Sequence, residues 1–487
     1  MHLKKLYNPE LLCLLTDLYQ FTMAYGYWKN NFHEKQSVFH LFFRNNPFAG
    51  GFTISCGLEY AIDFLENFNF SQTEVDFLAT IEGADKKPLF AKEFLNLLQN
   101  MEFSCDIDAV PEGNVVFPHE PLLRIKGPIL QCQLLETPLL NFINFQSLIA
   151  TKAARICMAT GGEPVLEFGM RRAQGIDGAL AASRAAYIGG CSATSNVLAG
   201  KLFGIPLKGT HAHSWVMAFD DELESFKAYA RAMPNNCVFL VDTFDTLKGV
   251  EKAIEVGDWL KEEGYPFSGI RLDSGDLAYL SIESRKLLDN AGFNDTAIIA
   301  SNDLDENIID SLKKQGAKIG VWGVGTKLAT SYEQPALGGV YKLSAIKEVD
   351  GWDYRVKLSE QLIKVSTPGI LAVRRYFDAD RAVADLIYNH DFDFNGDIIV
   401  VDPLDMTRQK KIAKNAPCLD LLVPIYKAGK RVYETPAIGD IRANTFKSLK
   451  AFHSGVKRFV NPHQYPVGLE KSLHELKTEL VLKGRGL

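Results

Sequence analysis

Between residues 151 and 343, short apolar runs alternate with amphipathic stretches of helical period, and no other feature restricts the fold as much. Runs at 165–168, 238–241, 269–272, 298–300 and 319–322 read as buried strands, with 205–207 a weaker one because of its proline. Helical stretches at 250–263, 277–289 and 305–315 lie between them. Such alternation implies βαβ units and a parallel sheet, closed into a barrel or open and doubly wound. Nearly every strand runs at once into polar, glycine-rich sequence, as in Gly209-Thr-His-Ala-His213, Asp242-Thr-Phe-Asp245 and Ser301-Asn-Asp303. A barrel directs all its C-terminal strand ends to one mouth, whereas an open sheet gathers ligand groups at one switch point, so the pattern favours the barrel.

The flanks read differently. Residues 101–134 and 340–433 carry short apolar runs punctuated by proline and glycine, which suggests β structure, and the tail from 437 is mostly helical. The expected architecture is an irregular α/β barrel over 146–345, with a second α+β domain built from 1–145 and 346–487. With 53 basic and 59 acidic residues interspersed, the chain lacks the charge excess of a nucleic-acid binder. The polar stretch 1–10 lacks the apolar core of a secretory signal, and no window is apolar enough for a membrane span. Eight scattered cysteines without a CxxC pair read as buried thiols in a reducing compartment, hence a cytoplasmic protein.

Three strand ends carry candidate chemistry. Gly323-Val-Gly-Thr326 exposes backbone N–H groups and a hydroxyl that suit a phosphate, although a tight βα turn with a threonine cap would look the same. Arg271-Leu-Asp273-Ser-Gly-Asp276 gathers a cation and two carboxylates able to hold an anionic group, ribose hydroxyls or Mg²⁺; the alternative is a salt-bridged turn with a helix cap. Glu167-Phe-Gly-Met-Arg171-Arg172 sets paired guanidinium groups, suited to phosphate or carboxylate, after Phe168, whose ring could cover a flat heterocycle or simply fill the core. His211-Ala-His213 invites a metal reading, which fails because no further histidine occurs between 214 and 389.

Together these segments resemble the nicotinate phosphoribosyltransferase family, in kind and in order, nearly end to end. The resemblance takes in Leu15-Thr-Asp17-Leu-Tyr19-Gln20-Phe-Thr-Met23-Ala24, Glu167 to Gly175, Gly209 to Ser214, Arg271 to Asp276 and Gly323 to Thr326. Gly338-Gly-Val-Tyr-Lys-Leu343 and Asn461-Pro-His-Gln-Tyr-Pro466 complete it. It implies transfer of a phosphoribosyl group from phosphoribosyl pyrophosphate to nicotinate, giving nicotinate mononucleotide and pyrophosphate, the first step of NAD salvage from nicotinate. ATP is the implied co-substrate and Mg²⁺ the implied cofactor, with no metal ligands indicated. A homodimer with a shared site is implied too, Tyr19 of one subunit stacking on nicotinate held against Phe168 of the other.

By the same resemblance, Arg271 and Thr210 meet the nicotinate carboxylate, and Gly323, Gly325 and Thr326, with Arg171 nearby, hold the 5-phosphate. Asp273 and Asp276 serve the ribose and the Mg²⁺-bound pyrophosphate, and His213 matches the family's histidine that ATP phosphorylates. Two alternatives stand beside this. A nicotinamide-using relative carries an aspartate late in the helix after the Phe-Gly strand, whereas Ser195 to Leu202 here contains no carboxylate, though Asn196 could bond an amide. A catalytically silent ligand-binding paralogue is the other, and the retention of His213, Arg271 and the glycine turn argues against it.

Overall fold

The computed structural model describes residues 9–392 and 398–487, so nearly all of the polar stretch at 1–10 lies outside the described residues. The chain forms two compact units, one from residues 148–335 and one from 1–147 together with 336–487.

In the first unit six strands make one wholly parallel sheet, in the spatial order Ala193–Thr194, Val165–Glu167, Val321–Val324, Ala297–Ala300, Gly269–Leu272, Val238–Leu240. The last strand in sequence, Val321–Val324, pairs with the first, Val165–Glu167. Every other neighbour is consecutive in sequence, and the ladder is carried on past Ala193–Thr194 by a parallel bridge from Thr194 to Leu207. That cyclic order describes a barrel rather than an open sheet, which would reverse direction at a switch point. Its staves are buried on both faces: Val165, Leu240, Ile270, Leu272, Ile298, Ala300, Trp322 and Val324 are almost wholly inaccessible.

The barrel is irregular in one place. Between the 206–208 segment and Val238–Leu240 no backbone ladder forms among the described residues. There the buried His211 ring accepts a hydrogen bond from the Leu240 N–H, 3.2 Å from Nε2. Helices Thr246–Glu262, Leu277–Asn290 and Glu306–Lys314 follow successive strands, and each opens on an aspartate cap: Asp245, Asp276 and Asp305 accept from backbone N–H groups three residues on. Helix Thr246–Glu262 lies so close to its strand that a Cβ at Gly249 would sit 2.1 Å from the Val241 carbonyl oxygen. Two sequence readings shift: the expected 319–322 strand is Val321–Val324, and 205–207 contributes only the bridge at Leu207.

The second unit interleaves the two ends of the chain. Gln36–Phe43 lies antiparallel between Leu123–Pro128 and Gly339–Glu348, within a seven-stranded sheet that also takes in Asp106–Ala109 and Val423–Lys427. A six-stranded sheet is built from Leu371–Asp378, Arg381–Asn389, Ile398–Val401 and three further strands, one of them Val467–Glu470. The tail is helical at Ile438–Lys450 and Lys471–Gly484, while 129–134, expected as β structure, is the helix Ile129–Leu134. Deep in this unit Arg375 forks onto Asp385 at 2.5–3.1 Å beneath Phe452, and Tyr465 donates to the same carboxylate at 2.9 Å. Glu120 lies beside them, its carboxyl pushed well above the usual range by burial and then by Asp385. The Asn461-to-Pro466 segment thus has a structural task, since Pro466 also accepts the Asp385 N–H.

No helix among the described residues is long and apolar enough to cross a membrane. All eight cysteines are free thiols; six are buried, Cys157 is half-buried and Cys418, against expectation, is exposed.

Two buried histidines make stability depend on acid. The His40 Nε2 accepts from Leu371 N at 3.1 Å, and burial, with Arg124 adding to it, pushes its pKa down to about 3. His211 is pushed down to about 4, by burial first and by Arg271 more weakly. The unfolded chain takes these protons near pH 6.5 and the folded chain does not, so their stability contribution is whole above that pH. It is lost as pH falls towards 4 and then 3, at up to about 1.4 kcal/mol per pH unit for each ring. Denaturant unfolding at pH 7 and pH 4.5 should show this loss; equal stability at both would mean that the rings are not held neutral.

Candidate active site

At the barrel mouth the aspartates divide into two kinds. Asp245, Asp276 and Asp305 cap helices, so the capping alternative for Asp276 holds for one of its oxygens, Oδ1, at 3.0 Å from Tyr279 N. Asp242 and Asp273 are used otherwise. The Asp242 side chain is only 1% exposed, and its Oδ1 lies 3.2 Å from His213 Nε2. Its Oδ2 accepts from Asp273 N at 2.8 Å and from Ser274 Oγ at 2.7 Å. One carboxylate therefore sets the histidine ring and the backbone of the Arg271-to-Asp276 turn. Asp273 in turn accepts from Ser301 Oγ on the next strand end. In the sequence Asp242 is a strand-end residue with no evident role; only its side chain's burial between two motifs distinguishes it from Asp245.

Arg271 Nη1 donates to Thr210 Oγ1 at 2.5 Å, joining two motifs that were expected to act together. Its Nε is buried with no hydrogen-bond partner among the described residues. Burial lowers the Arg271 pKa from its usual value, opposed by Asp273 and Asp242 and reinforced by Arg171. An arginine retains its charge through such a shift, so the site keeps a poorly solvated cation. Arg171 and Arg172 lie exposed on the turn Met170–Arg172. His213, 39% exposed, opens the short helix His213–Val216.

The closing strand pair brings the glycine turn to Phe168. Phe168 N donates to Val324 O at 2.8 Å, and a Cβ at Gly323 would lie 2.7 Å from the half-buried Phe168 ring. Gly323 thus lets the ring pack close against the backbone. Gly325, not Thr326, is the cap residue of helix Thr326–Ala329, so the threonine-cap alternative does not hold; Thr326 is the first helical residue. Beside the turn, Lys327 pairs with Asp305 at 2.5 Å, and Asn302 and Asp303 both adopt positive φ (102° and 37°), a strained backbone of the kind that clusters at ligand sites.

Asn196 is not available to a ligand amide. Its Oδ1 caps helix Val197–Phe203 through Ala199 N, and its Nδ2 donates to Ser183 Oγ, within a buried network around Glu167. Tyr19 lies in the other unit, on the first turn of helix Leu18–Lys29, with 48% of its surface exposed.

Three family models cover the chain: the nicotinate phosphoribosyltransferase N-terminal domain at 14–144, the nicotinate phosphoribosyltransferase family at 164–356 and its C-terminal domain at 371–477. The chain is 44% identical to the nicotinate phosphoribosyltransferase of Bacillus subtilis (strain 168), over 97% of this chain and 98% of that one.

The chain belongs to the nicotinate phosphoribosyltransferase family.

A human member, nicotinate phosphoribosyltransferase of Homo sapiens, is 35% identical over 96% of both chains. The crystal structure of human nicotinic acid phosphoribosyltransferase superposes with a TM-score of 0.83 at 32% identity, covering 96% of this chain and 99% of that one. A nicotinate-nucleotide pyrophosphorylase from Pyrococcus furiosus shares the fold, with a TM-score of 0.70 at 21% identity over 93% of this chain and 99% of that one. The motifs that suggested this family are those the barrel brings to its mouth, apart from the opening segment and the segments at 338–343 and 461–466.

The contact of Phe168 with Gly323 is open to test. Gly323→Ala should destabilise the chain by about 1–3 kcal/mol, the usual range for forcing a methyl into packed space. Adding Phe168→Leu should recover part of that loss in denaturant unfolding. Strictly additive losses would mean that the ring and the glycine do not press on each other.

Proposed function

We propose that this chain transfers the phosphoribosyl group of phosphoribosyl pyrophosphate to nicotinate, with ATP hydrolysis coupled through a phosphohistidine. The observation that carries this reading is the half-buried Arg271, held by Thr210 and with a buried, unpartnered Nε, in a barrel whose motifs belong to this family. A pyridine carboxylate supplies the missing acceptor and the missing negative charge. In the transfer the pyridine nitrogen lone pair forms the bond to C1 of the ribose as the C1–oxygen bond to pyrophosphate breaks. Positive charge grows on the ribose and negative charge on the leaving group. No attacking side chain is needed, so the residues act by positioning and by charge.

In this proposal nicotinate lies against Phe168 with its carboxylate on Arg271 and Thr210. Gly323, Gly325 and Thr326 hold the 5-phosphate, with Arg171 beside it. Asp273 serves the ribose hydroxyls, and Asp276 contributes the oxygen not engaged in capping its helix. Asp273 and Asp276 would face the Mg²⁺-bound pyrophosphate, and the ion, when bound, would supply charge neutralisation to the leaving group.

The same geometry supports His213 as phosphoryl acceptor. With Nε2–H held by Asp242, the lone pair resides on Nδ1. That nitrogen attacks the γ-phosphorus of ATP, ADP leaves, and water later releases the phosphate. The chain then counts formally as a ligase. Nicotinate is preferred to nicotinamide because Arg271 favours an anion and because Asn196 is engaged in its cap. A homodimer in which Tyr19 closes the partner's pyridine pocket, working in the cytoplasm, completes the proposal.

The test offers nicotinate and nicotinamide in parallel with phosphoribosyl pyrophosphate and Mg²⁺, with and without ATP. Mononucleotide from nicotinate, increased by ATP, is the expected result. Turnover of nicotinamide instead would transfer the assignment to the amide, and no turnover by the folded protein would leave a silent paralogue. His213→Ala should abolish the increase due to ATP; equal stimulation in that variant would remove His213 from the role. Tyr19→Ala should raise the nicotinate KM about fivefold, for a stacking contribution of about 1 kcal/mol. An unchanged KM would argue against a shared site.

A further inference from the structure

His211 stands where the barrel lacks a backbone ladder, and the mechanism above gives it no task. Its ring is 7% exposed and packed against Tyr229 at 4.9 Å, Phe226 at 6.2 Å and Phe239 at 6.4 Å between centroids. Because Nε2 accepts from Leu240 N, the ring proton is assigned to Nδ1, which lies 3.5 Å from the Ala212 carbonyl oxygen. The strand Val238–Leu240 is an edge of the sheet, paired on its other side with Gly269–Leu272. The imidazole therefore takes the place of a neighbouring strand for one amide.

The positions on either side matter more. His213 lies two residues beyond His211, and Asp242 lies two residues beyond Leu240. The pair His213–Asp242, at 3.2 Å, joins the same two chain segments that the His211–Leu240 bond joins at 3.2 Å. The segment just before His213 has no regular structure from Lys208 to Ala212. Its ends are held by backbone bonds, Lys208 N to Thr194 O and Trp215 N to Ala212 O, and between them it is held by two side-chain contacts of different kinds: Thr210 to Arg271, and His211 to Leu240.

We propose that His211 is a positioning residue that fixes the register of the unladdered seam and so holds His213 on Asp242 for phosphoryl transfer. The proposal rests on His213 being the phosphoryl acceptor. It assigns the two residues of the His-Ala-His motif separate tasks, the second chemical and the first mechanical. It also separates the two contacts of the segment, with Thr210 serving the pyridine pocket through Arg271 and His211 serving the phosphohistidine.

The experiment compares wild type, His211→Leu, which removes the acceptor, and His211→Gln, which returns an acceptor oxygen, all as full-length protein. Three quantities are read: ATP-dependent phosphate label on His213, transfer without ATP, and the ring-nitrogen NMR shifts of His213. His211→Leu should lower the labelling rate at least tenfold, change ATP-independent transfer less than threefold and move the His213 ring signals. His211→Gln should restore part of the label. Thr210→Val, as a contrast, should raise the nicotinate KM more than it slows labelling. The proposal is overturned if label and transfer fall together in His211→Leu, if neither falls, or if the His213 ring signals stay put. A wild-type protein that takes no label would overturn the phosphohistidine reading instead. In that case the ring signals alone decide whether His211 sets the His213–Asp242 pair.

Discussion

Three parallel backbone pairings, Trp322 with Val165, Gly323 with Leu166 and Val324 with Glu167, carry the architecture of the site. They join the last strand of the barrel to its first, and so place the glycine turn against Phe168 and the paired arginines. Without that pairing the sheet would fall into two pieces, one carrying Phe168 and the other the glycine turn. With it, the hard contact between Gly323 and the Phe168 ring becomes a fixed reference from which the remaining strand ends are arrayed in order. Parallel strands buried on both faces tolerate little slippage, because a one-residue shift would turn every inward side chain outward.

The second organising element is electrostatic. Asp242, almost without solvent, serves three donors or near-donors at once: the ring of His213, the amide of Asp273 and the hydroxyl of Ser274. Arg271, Asp273 and Asp242 offset one another's burial, leaving a cation with one donor unused. Groups of this kind are costly to bury alone and are retained where a ligand completes them. The site is therefore ordered by its own hydrogen bonds before any substrate enters.

Much of this was readable from the sequence, and for identifiable reasons. The period of the apolar runs is dictated by burial, so the barrel strands and helices could be placed to within a few residues. Glycine and charged clusters after strands made Gly323, Arg271 and Asp273 candidates beside ordinary capped turns, and it was the family resemblance that gave them, and His213, their expected roles. What escaped depended on tertiary distance. Asp242 and Asp245 are the same residue type three positions apart, one a hub and the other a helix cap. Asn196 looked free to meet an amide until its cap and its bond to Ser183 became visible. The two-residue strand Ala193–Thr194 is too short to leave a periodic signal, and Gln36–Phe43 gains its meaning from partners far away in the chain.

That last strand has a consequence for how the chain is made. Gln36–Phe43 gains Leu123–Pro128 on one side within the first flank, but its other edge waits for Gly339–Glu348, beyond the whole barrel. At a ribosomal rate of roughly 5–20 residues per second, that edge stays open for about 15–60 s while the barrel emerges. An open edge bearing Val38, Phe39, Leu41 and Phe43 is a template for pairing with another nascent chain. The contiguous barrel can form as it is translated, whereas the interleaved unit must wait, so the order of birth makes the flanks, not the catalytic core, the vulnerable part of the nascent protein.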